Sequence, residues 1–387
     1  MSEWAEVTIE SICKKVVSGG TPLTSKKEYY LNGNIPWLKT KEVNQRRIYS
    51  TENLITQLGL ENSSARLIPV NSVTVAMYGD GQTAGRVGLT MVPLATNQAC
   101  CNLIVDENIA DAEFVFYNLL GSYDELVARK TGSGQQNLNA QLIKAFNFSL
   151  PALPEQKAIA AVLSSLDDKI DLLHRQNQTL EAMAETLFRQ WFVEETQKDW
   201  EERPLSKIAV FLNGLACQKY PPGDDLNKLP VLKIKELSSG ISDASDWATS
   251  EVDPKYIVDA GDVIFAWSAS LMVKVWDGEK CVLNQHLFKV TSAEFPKWFY
   301  LMWCKRHLAE FISISASHAT TMGHIKRGDL DDALVLIPSE GEMQAMSEIM
   351  EPLLDKQIAI AKQIRTLEKI RDDLLPKLMS GEVRVDY

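Results

Sequence analysis

From Glu155 onward, apolar residues fall at Ile159, Leu163, Leu166, Ile170, Leu173, Leu180, Ala184, Leu187 and Trp191, in alternating steps of four and three, with Asn177 at the one polar position. A period of 3.5 residues predicts a helix whose narrow apolar stripe pairs with a second helix, not one lying broadly on a globular core. A weaker stripe of the same spacing runs through Met346, Met350, Leu353, Gln357, Ile360, Ile364, Leu367, Arg371, Leu374 and Leu378, where Pro352 predicts a kink or a delayed start. Upstream of each stripe the pattern is mixed. Runs 73–78, 86–92 and 99–105 are β-rich, are broken by Gly79, Gly81, Gly85 and Pro93, and precede a helical stretch at 111–129. Runs 262–268, 272–276 and 281–291, followed by an apolar helical stretch at 296–314, answer them.

The two halves repeat each other. Asn97-Gln98 recurs as Asn284-Gln285, Pro151 as Pro338, Asp168-Lys169 as Asp355-Lys356 and Thr179-Leu180-Glu181 as Thr366-Leu367-Glu368, always 187 positions later. Further upstream the register drifts, but Leu38-Lys39 and Lys41-Glu42 are still answered by Leu232-Lys233 and Lys235-Glu236, and Trp4 by Trp200. A unit of nearly half the chain is too long for a solenoid repeat. Only about a dozen residues separate the first helix from the second lobe, so the second helix must run back antiparallel to bury its stripe against the first. The expected fold class is α+β: two globular α/β lobes separated by a long antiparallel two-helix coiled coil, with a pseudo-two-fold internal repeat. The expected domains are 1–154, a central helix at 155–195, 196–341, and a C-terminal helix at 342–387. From Ile159 to Trp191 the spacer is roughly 48 Å long. That corresponds to roughly 14 base pairs of B-DNA.

Composition narrows the reading. The 387 residues are 45% hydrophobic, enough for real cores. The opening Met1-Ser2-Glu3-Trp4-Ala5-Glu6 lacks the basic and apolar regions of a signal peptide, and no run is long enough to span a bilayer, so a cytoplasmic protein without membrane partners is expected. Six cysteines without C-x-x-C spacing suggest neither zinc nor disulfides and read as buried thiols. The net charge of −11 argues at first against nucleic acid. Its distribution weakens that objection: residues 151–199 carry 5 basic and 9 acidic side chains and residues 338–387 carry 7 and 10, which leaves the lobes nearly balanced.

Signals for catalysis are poor. Asn34-Ile35-Pro36-Trp37 is one residue short of the Asn-Pro-Pro-aromatic motif that holds a target amino group in amino-methyltransferases. Gly79-Asp80-Gly81 with Gly85 has the wrong spacing for a dinucleotide fingerprint and reads as a turn. His318 and His324, six apart, share no helical face and have no cysteine partner, so no metal is expected. Two alternatives stay open at this point: a coiled-coil interaction scaffold that does not bind DNA, and a DNA adenine methyltransferase.

Particular segments carry a family resemblance. Gly132-Ser133-Gly134-Gln135-Gln136-Asn137-Leu138 leads to Leu150-Pro151-Ala152-Leu153-Pro154-Glu155-Gln156-Lys157-Ala158-Ile159-Ala160, and the chain closes on Leu374-Leu375-Pro376-Lys377-Leu378-Met379-Ser380-Gly381-Glu382. Together with Gly81-Gln82-Thr83-Ala84-Gly85-Arg86-Val87-Gly88, these resemble the specificity subunits of type I DNA restriction-modification systems. The second copy departs from the pattern, with Met322-Gly323-His324-Ile325 and Pro338-Ser339-Glu340-Gly341-Glu342-Met343 at the matching places. The resemblance implies two target-recognition domains, each reading half of a split, asymmetric site in double-stranded DNA, and helices that set the gap and dock two modification (methyltransferase) subunits. It implies no catalysis and no cofactor in this chain. S-adenosylmethionine, ATP and Mg2+ would belong to the modification and restriction subunits, which methylate adenine and translocate and cleave DNA.

Base edges and phosphates call for amides and Lys or Arg. In the first lobe such candidates are Lys39, Lys41, Gln45, Arg46, Arg47, Tyr78, Gln82, Arg86, Lys130, Gln135 and Gln136; in the second, Lys233, Lys235, Trp267, Lys274, His318, His324, Lys326 and Arg327. Asn97-Gln98 and Asn284-Gln285, kept in both copies, are expected to brace the lobes, since copies that read different half-sites should differ where they read. Asn177 is expected to fix the helix register. Leu172, Met183, Phe188 and Phe192 lie off the stripe and are expected to dock partner helices.

Overall fold

Short β-runs bounded by glycine and proline cannot bury their apolar faces as isolated hairpins, so each lobe gathers them into sheets that pack on helices. The computed structural model describes residues 4–44, 46–79, 83–130, 137–223, 226–317 and 323–386. The first lobe carries β1 (Ala5–Thr8), β2 (Cys13–Ser18), β3 (Ile35–Leu38), β4 (Arg47–Ile48), β5 (Leu54–Ile55), β6 (Leu67–Ile68), β7 (Val73–Ala76), β8 (Val87–Thr90), β9 (Leu94–Thr96), β10 (Cys100–Val105) and β11 (Asn147–Leu150). The second carries β12 (Glu201–Pro204), β13 (Val210–Asn213), β14 (Lys228–Leu232), β15 (Trp247–Thr249), β16 (Ile257–Val258), β17 (Val263–Ala266), β18 (Met272–Val275), β19 (Cys281–Leu283), β20 (Leu287–Thr291) and β21 (Leu334–Ile337).

One plan serves both lobes. Sheet order β2-β10-β7-β8-β4 in the first answers β13-β20-β17-β18 in the second, β5-β3-β9-β6 answers β15-β14-β19-β16, and the pair β1-β11 answers β12-β21. Register agrees at the ends as well: Leu150 lies opposite Ala5, and Ile337, 187 positions on, lies opposite Glu201. Strand β4 is the one addition of the first lobe among the described residues, and it lies parallel to β8. The internal repeat read from sequence is thus a repeat of topology.

Two long helices complete the chain, Leu153–Arg189, which ends in a π turn at Gln190–Glu194, and Glu340–Met379. The chain divides into two compact units, residues 1–168 with 368–387 and residues 169–367, so each unit contains one lobe and a part of both helices. In the first unit, Ile159 and Leu163 are buried with Leu375 and Leu378 under a core of Val73, Val75, Phe114 and Phe116. In the second, Ile170 and Leu173 pack with Ile360 and Ile364, while Ala184, Phe188 and Phe192 share a core with Met346, Met350 and Leu354. Rising numbers on one helix meet falling numbers on the other, which is antiparallel pairing. The apolar stripe is broader than a strict coiled-coil seam, since Leu354 and Leu375 are more deeply buried than Leu353 and Leu374.

Two expectations are corrected. The second helix starts at Glu340 and continues through Pro352 without delay. The Pro352 ring is exposed. Phe188 and Phe192 are only 4% and 3% exposed and are not available to a partner. Phe188 meets Trp303 at 5.2 Å, and Phe192 contacts Trp200, Trp298, Phe299 and Trp303 with ring centroids between 5.2 and 6.5 Å. The stripe ends where the lobe begins, and side chains off the helix–helix seam there are taken up by the helix Lys297–Ser317, whose first turns are apolar on every side. The Asn177 side-chain oxygen is buried without a hydrogen bond beside a cavity of about 260 Å³ that Gln357 also lines.

All six cysteines are free, and burial pushes the Cys13 and Cys101 thiols up to about 12. Among the described residues no helix is long and apolar enough to cross a membrane.

Phe192→Ala is expected to destabilise the second unit by about 3–5 kcal/mol. Urea unfolding followed by tryptophan fluorescence checks this, and a loss under about 1 kcal/mol would return Phe192 to the surface set.

Candidate nucleic-acid interface

Each lobe presents its polar candidates around one backbone crossing. In the first lobe β3 runs parallel to β9, with Leu38 opposite Thr96, and the Asn97 N–H donates to the Leu38 carbonyl at 2.9 Å. In the second, β14 runs parallel to β19, with Leu232 opposite Leu283, and the Asn284 N–H donates to the Leu232 carbonyl at 3.1 Å. A third segment closes both crossings. Gly19 N–H donates to Cys100 and Gly20 N–H to Thr96, while Gly214 N–H donates to Leu287 and Leu215 N–H to Leu283. A Cβ on Gly19 would overlap the carbonyls of Thr96 and Asn97, and one on Gly214 those of Leu283 and Asn284. The recurring Leu-Lys and Asn-Gln pairs of the sequence are therefore neighbours in space, and Asn97 and Asn284 belong to the frame.

The lysines beside that crossing are held by neighbouring polar groups. Lys39 starts the one-turn helix Thr40–Glu42; its Nζ lies 5.1 Å above the Trp37 ring and donates to Asn53 Oδ1 at 3.3 Å. Lys41 pairs with Glu52 at 2.6 Å, and this hydrogen bond raises its pKa. Lys233 pairs with Asp246, and Lys274 reaches the Leu237 carbonyl at 3.3 Å with Asp277 at 3.9 Å. Exposed pairs of this kind are weak and screened by salt, so a phosphate can compete for the same lysine. Arg46, 3.4 Å from Glu368, is exposed in the same way, and Lys235 is exposed.

A second group gathers at the turn between the middle strands of the larger sheet. In the first lobe Met77 N–H donates to Ala99 and Leu138 N–H to Met77; Tyr78 is exposed there and Arg86, whose carbonyl accepts the Ala76 N–H, is half-exposed, as is Lys130 after the short helix Tyr123–Ala128. The second lobe repeats the pattern with Trp267 N–H to His286 and Ile325 N–H to Trp267. Here Trp267 stacks on Phe288 at 5.6 Å and donates Nε1–H to Asn213 at 3.1 Å. The His324 ring lies 6.4 Å away, and Lys326 and Arg327, both exposed, open the helix Arg327–Asp332. Gln45, Gln82, Gln135, Gln136 and His318 lie outside the described residues, as do Gly81 and Gly132–Gln136 of the segments that carry the resemblance. Sequence reasoning passed over His286, whose signal was its pairing with Ala99 at the 187 interval.

Arg47 leaves the candidate set. Its side chain is 3% exposed and bonds to Asp168 and, at 3.0 Å, to Glu113. Burial raises the Glu113 pKa, although the Arg47 charge opposes the shift. Next to it, burial and Asp167 push the Tyr117 hydroxyl far up, and that hydroxyl donates to Asp167 at 2.6 Å. Arg371 reaches the other Asp167 oxygen at 2.9 Å. Arg47 thus ties the lobe to the helix Leu153–Arg189 through a carboxylate network.

The type I restriction modification DNA specificity domain matches residues 1–182 and again residues 197–369, each time a lobe with most of its long helix. The chain belongs to this family of type I specificity subunits. The MjaIX specificity subunit of Methanocaldococcus jannaschii is 28% identical across 99% of this chain and 94% of its own length. The EcoKI specificity subunit of Escherichia coli K12 is 22% identical across 94% and 87%. The crystal structure of the S subunit from M. genitalium superposes with a TM-score of 0.59 across 100% of this chain and 97% of that one, at 16% identity, which shows a shared fold. In the specificity subunit, then, both matched domains own a crossing and a turn cluster.

Arg47→Ala should destabilise the first unit by about 2–3 kcal/mol. Chemical unfolding measures that loss. A variant of unchanged stability and weakened DNA affinity would instead place Arg47 at the DNA.

Proposed function

We propose that the specificity subunit supplies the DNA address of a type I complex and performs no chemistry itself. One observation carries this reading: the two lobes share their backbone frame bond for bond, yet differ in the side chains that the frame presents at its turn clusters. Met77 and the exposed Tyr78 stand in the first lobe where Trp267 and the buried Ser268 stand in the second. A duplicated binder of one ligand has no need for that difference, whereas a reader of two unlike half-sites requires it. Each lobe would read one half of a bipartite, asymmetric site, with Lys41, Arg46, Lys235, Lys326 and Arg327 on phosphates and Tyr78, Arg86, Trp267 and His324 toward the bases.

The long helices would set the gap between half-sites and dock two modification subunits, which hold S-adenosylmethionine and methylate adenine. Restriction subunits would use ATP and Mg2+. Leu172 and Met183 remain as docking positions, 41% and 48% exposed on the first long helix. The four large aliphatic or aromatic side chains read as off-stripe therefore divide, two into the lobe and two outward.

A salt titration of duplex binding by the assembled complex tests the reading. Affinity should fall steeply with salt, and Lys326→Ala with Arg327→Ala should reduce the slope of log K against log salt by about one to two without altering the preferred sequence. Binding that is absent or insensitive to salt would leave the interaction-scaffold reading. The ruler has its own test: inserting four residues into both long helices should lengthen the gap of the selected site by about two base pairs. An unchanged gap contradicts it.

A further inference from the structure

We infer that Gln285 and His286 form a purine-reading edge of the second lobe that the first lobe lacks; the inference rests on the DNA reading proposed above. Both lie in the connection between β19 and β20, directly after Asn284. The backbone there is the same in both lobes, since Met77 N–H donates to the Ala99 carbonyl at 2.8 Å and Trp267 N–H to the His286 carbonyl at 3.4 Å. At this connection the first lobe has no matching pair of groups. Ala99 is buried, and the Gln98 side-chain oxygen accepts the Thr21 hydroxyl. In the second lobe Ala99 gives way to an exposed imidazole, and the Gln285 amide nitrogen lies 3.4 Å from His286 Nε2.

The imidazole is held before any ligand arrives. Its Nδ1 lies 3.2 Å from Ser268 Oγ, and the His286 backbone N–H donates to Asn284 Oδ1 at 3.3 Å. Its ring is 6.0 Å from Trp267, itself fixed by Phe288 and Asn213. A side chain already confined loses little rotamer entropy on binding. With Nδ1 on Ser268, Nε2 accepts from the Gln285 amide, so the imidazole orients the carboxamide, whose remaining N–H and oxygen form the outward edge. A carboxamide able both to donate and to accept matches the N7 and C6 substituent of a purine in the major groove, where a pyrimidine shows one heteroatom. The crossing at Gly214 sets where this edge stands, because the same loop supplies the Asn284 and Leu287 backbone groups that close it.

Site selection from a random duplex library tests the inference, using the complex of the subunit with its modification subunits and comparing wild type, His286→Ala and Gln285→Ala. At one purine position of one half-site, a preference of about tenfold or more should fall to within about twofold in each variant. The other half-site and the gap should be unchanged. An unchanged motif in both variants overturns the inference. So does a uniform loss of affinity with no relaxed position, the mark of a purely structural His286. Should His286→Ala lower the melting temperature, Gln285→Ala carries the test, because its side chain contacts the ligand edge and not the core. A wild-type complex that selects no motif brings down the DNA reading itself, and the inference falls with it.

Discussion

Each lobe depends on a place where three backbone segments meet with no room for a side chain. At Gly19 and again at Gly214 a carbonyl layer lies where a Cβ would stand. The N–H groups around them have partners in adjacent strands, as buried backbone donors require. This closure joins the end of a parallel strand pair to the start of the larger sheet. It also fixes the two places from which side chains leave the lobe: the lysine-bearing turn after β3 or β14, and the loop after β9 or β19. Because main-chain atoms make the closure, the side chains displayed around it are free to change without loss of the frame. Duplication followed by divergence at the display positions is the pattern that this constraint permits.

The lobes meet the long helices by different chemistry. In the first unit an apolar core that takes in Ile159 and Leu163 is rimmed by ion pairs: Arg47 bonds Glu113 and Asp168, Arg371 bonds Asp167, and Arg384 bonds the buried Glu155. In the second the contact is aromatic, with Phe188 and Phe192 enclosed by tryptophans. Partly buried ion pairs set a register more than they add net stability, whereas buried aromatic rings contribute through area. Loss of one ring in the second unit should consequently cost more than loss of one charge in the first.

Much of this was legible in the chain. The 187-residue interval and the 3.5-residue stripe identified two lobes and two antiparallel helices, because periodic burial leaves a periodic sequence. What failed to show had a physical reason in each case. Arg47 looks like surface charge because sequence does not reveal that Glu113 and Asp168, far along the chain, enclose it. Phe188 and Phe192 fall off the helix–helix stripe, and a one-dimensional pattern cannot say that a lobe covers that face. Gly19 and Gly214 are 195 positions apart, outside the interval kept by the strands that they cross. His286 follows a repeated Asn-Gln pair, and repetition marks the shared frame, not the side chain displayed beside it.

The central claim is that one frame, used twice, reads two different sequences at a fixed distance. Base-resolution mapping of methylated adenines made by the wild-type complex tests it most directly. The account predicts two short unlike half-sites separated by a constant run of unspecified bases. A single contiguous motif, or methylation without a motif, would contradict it.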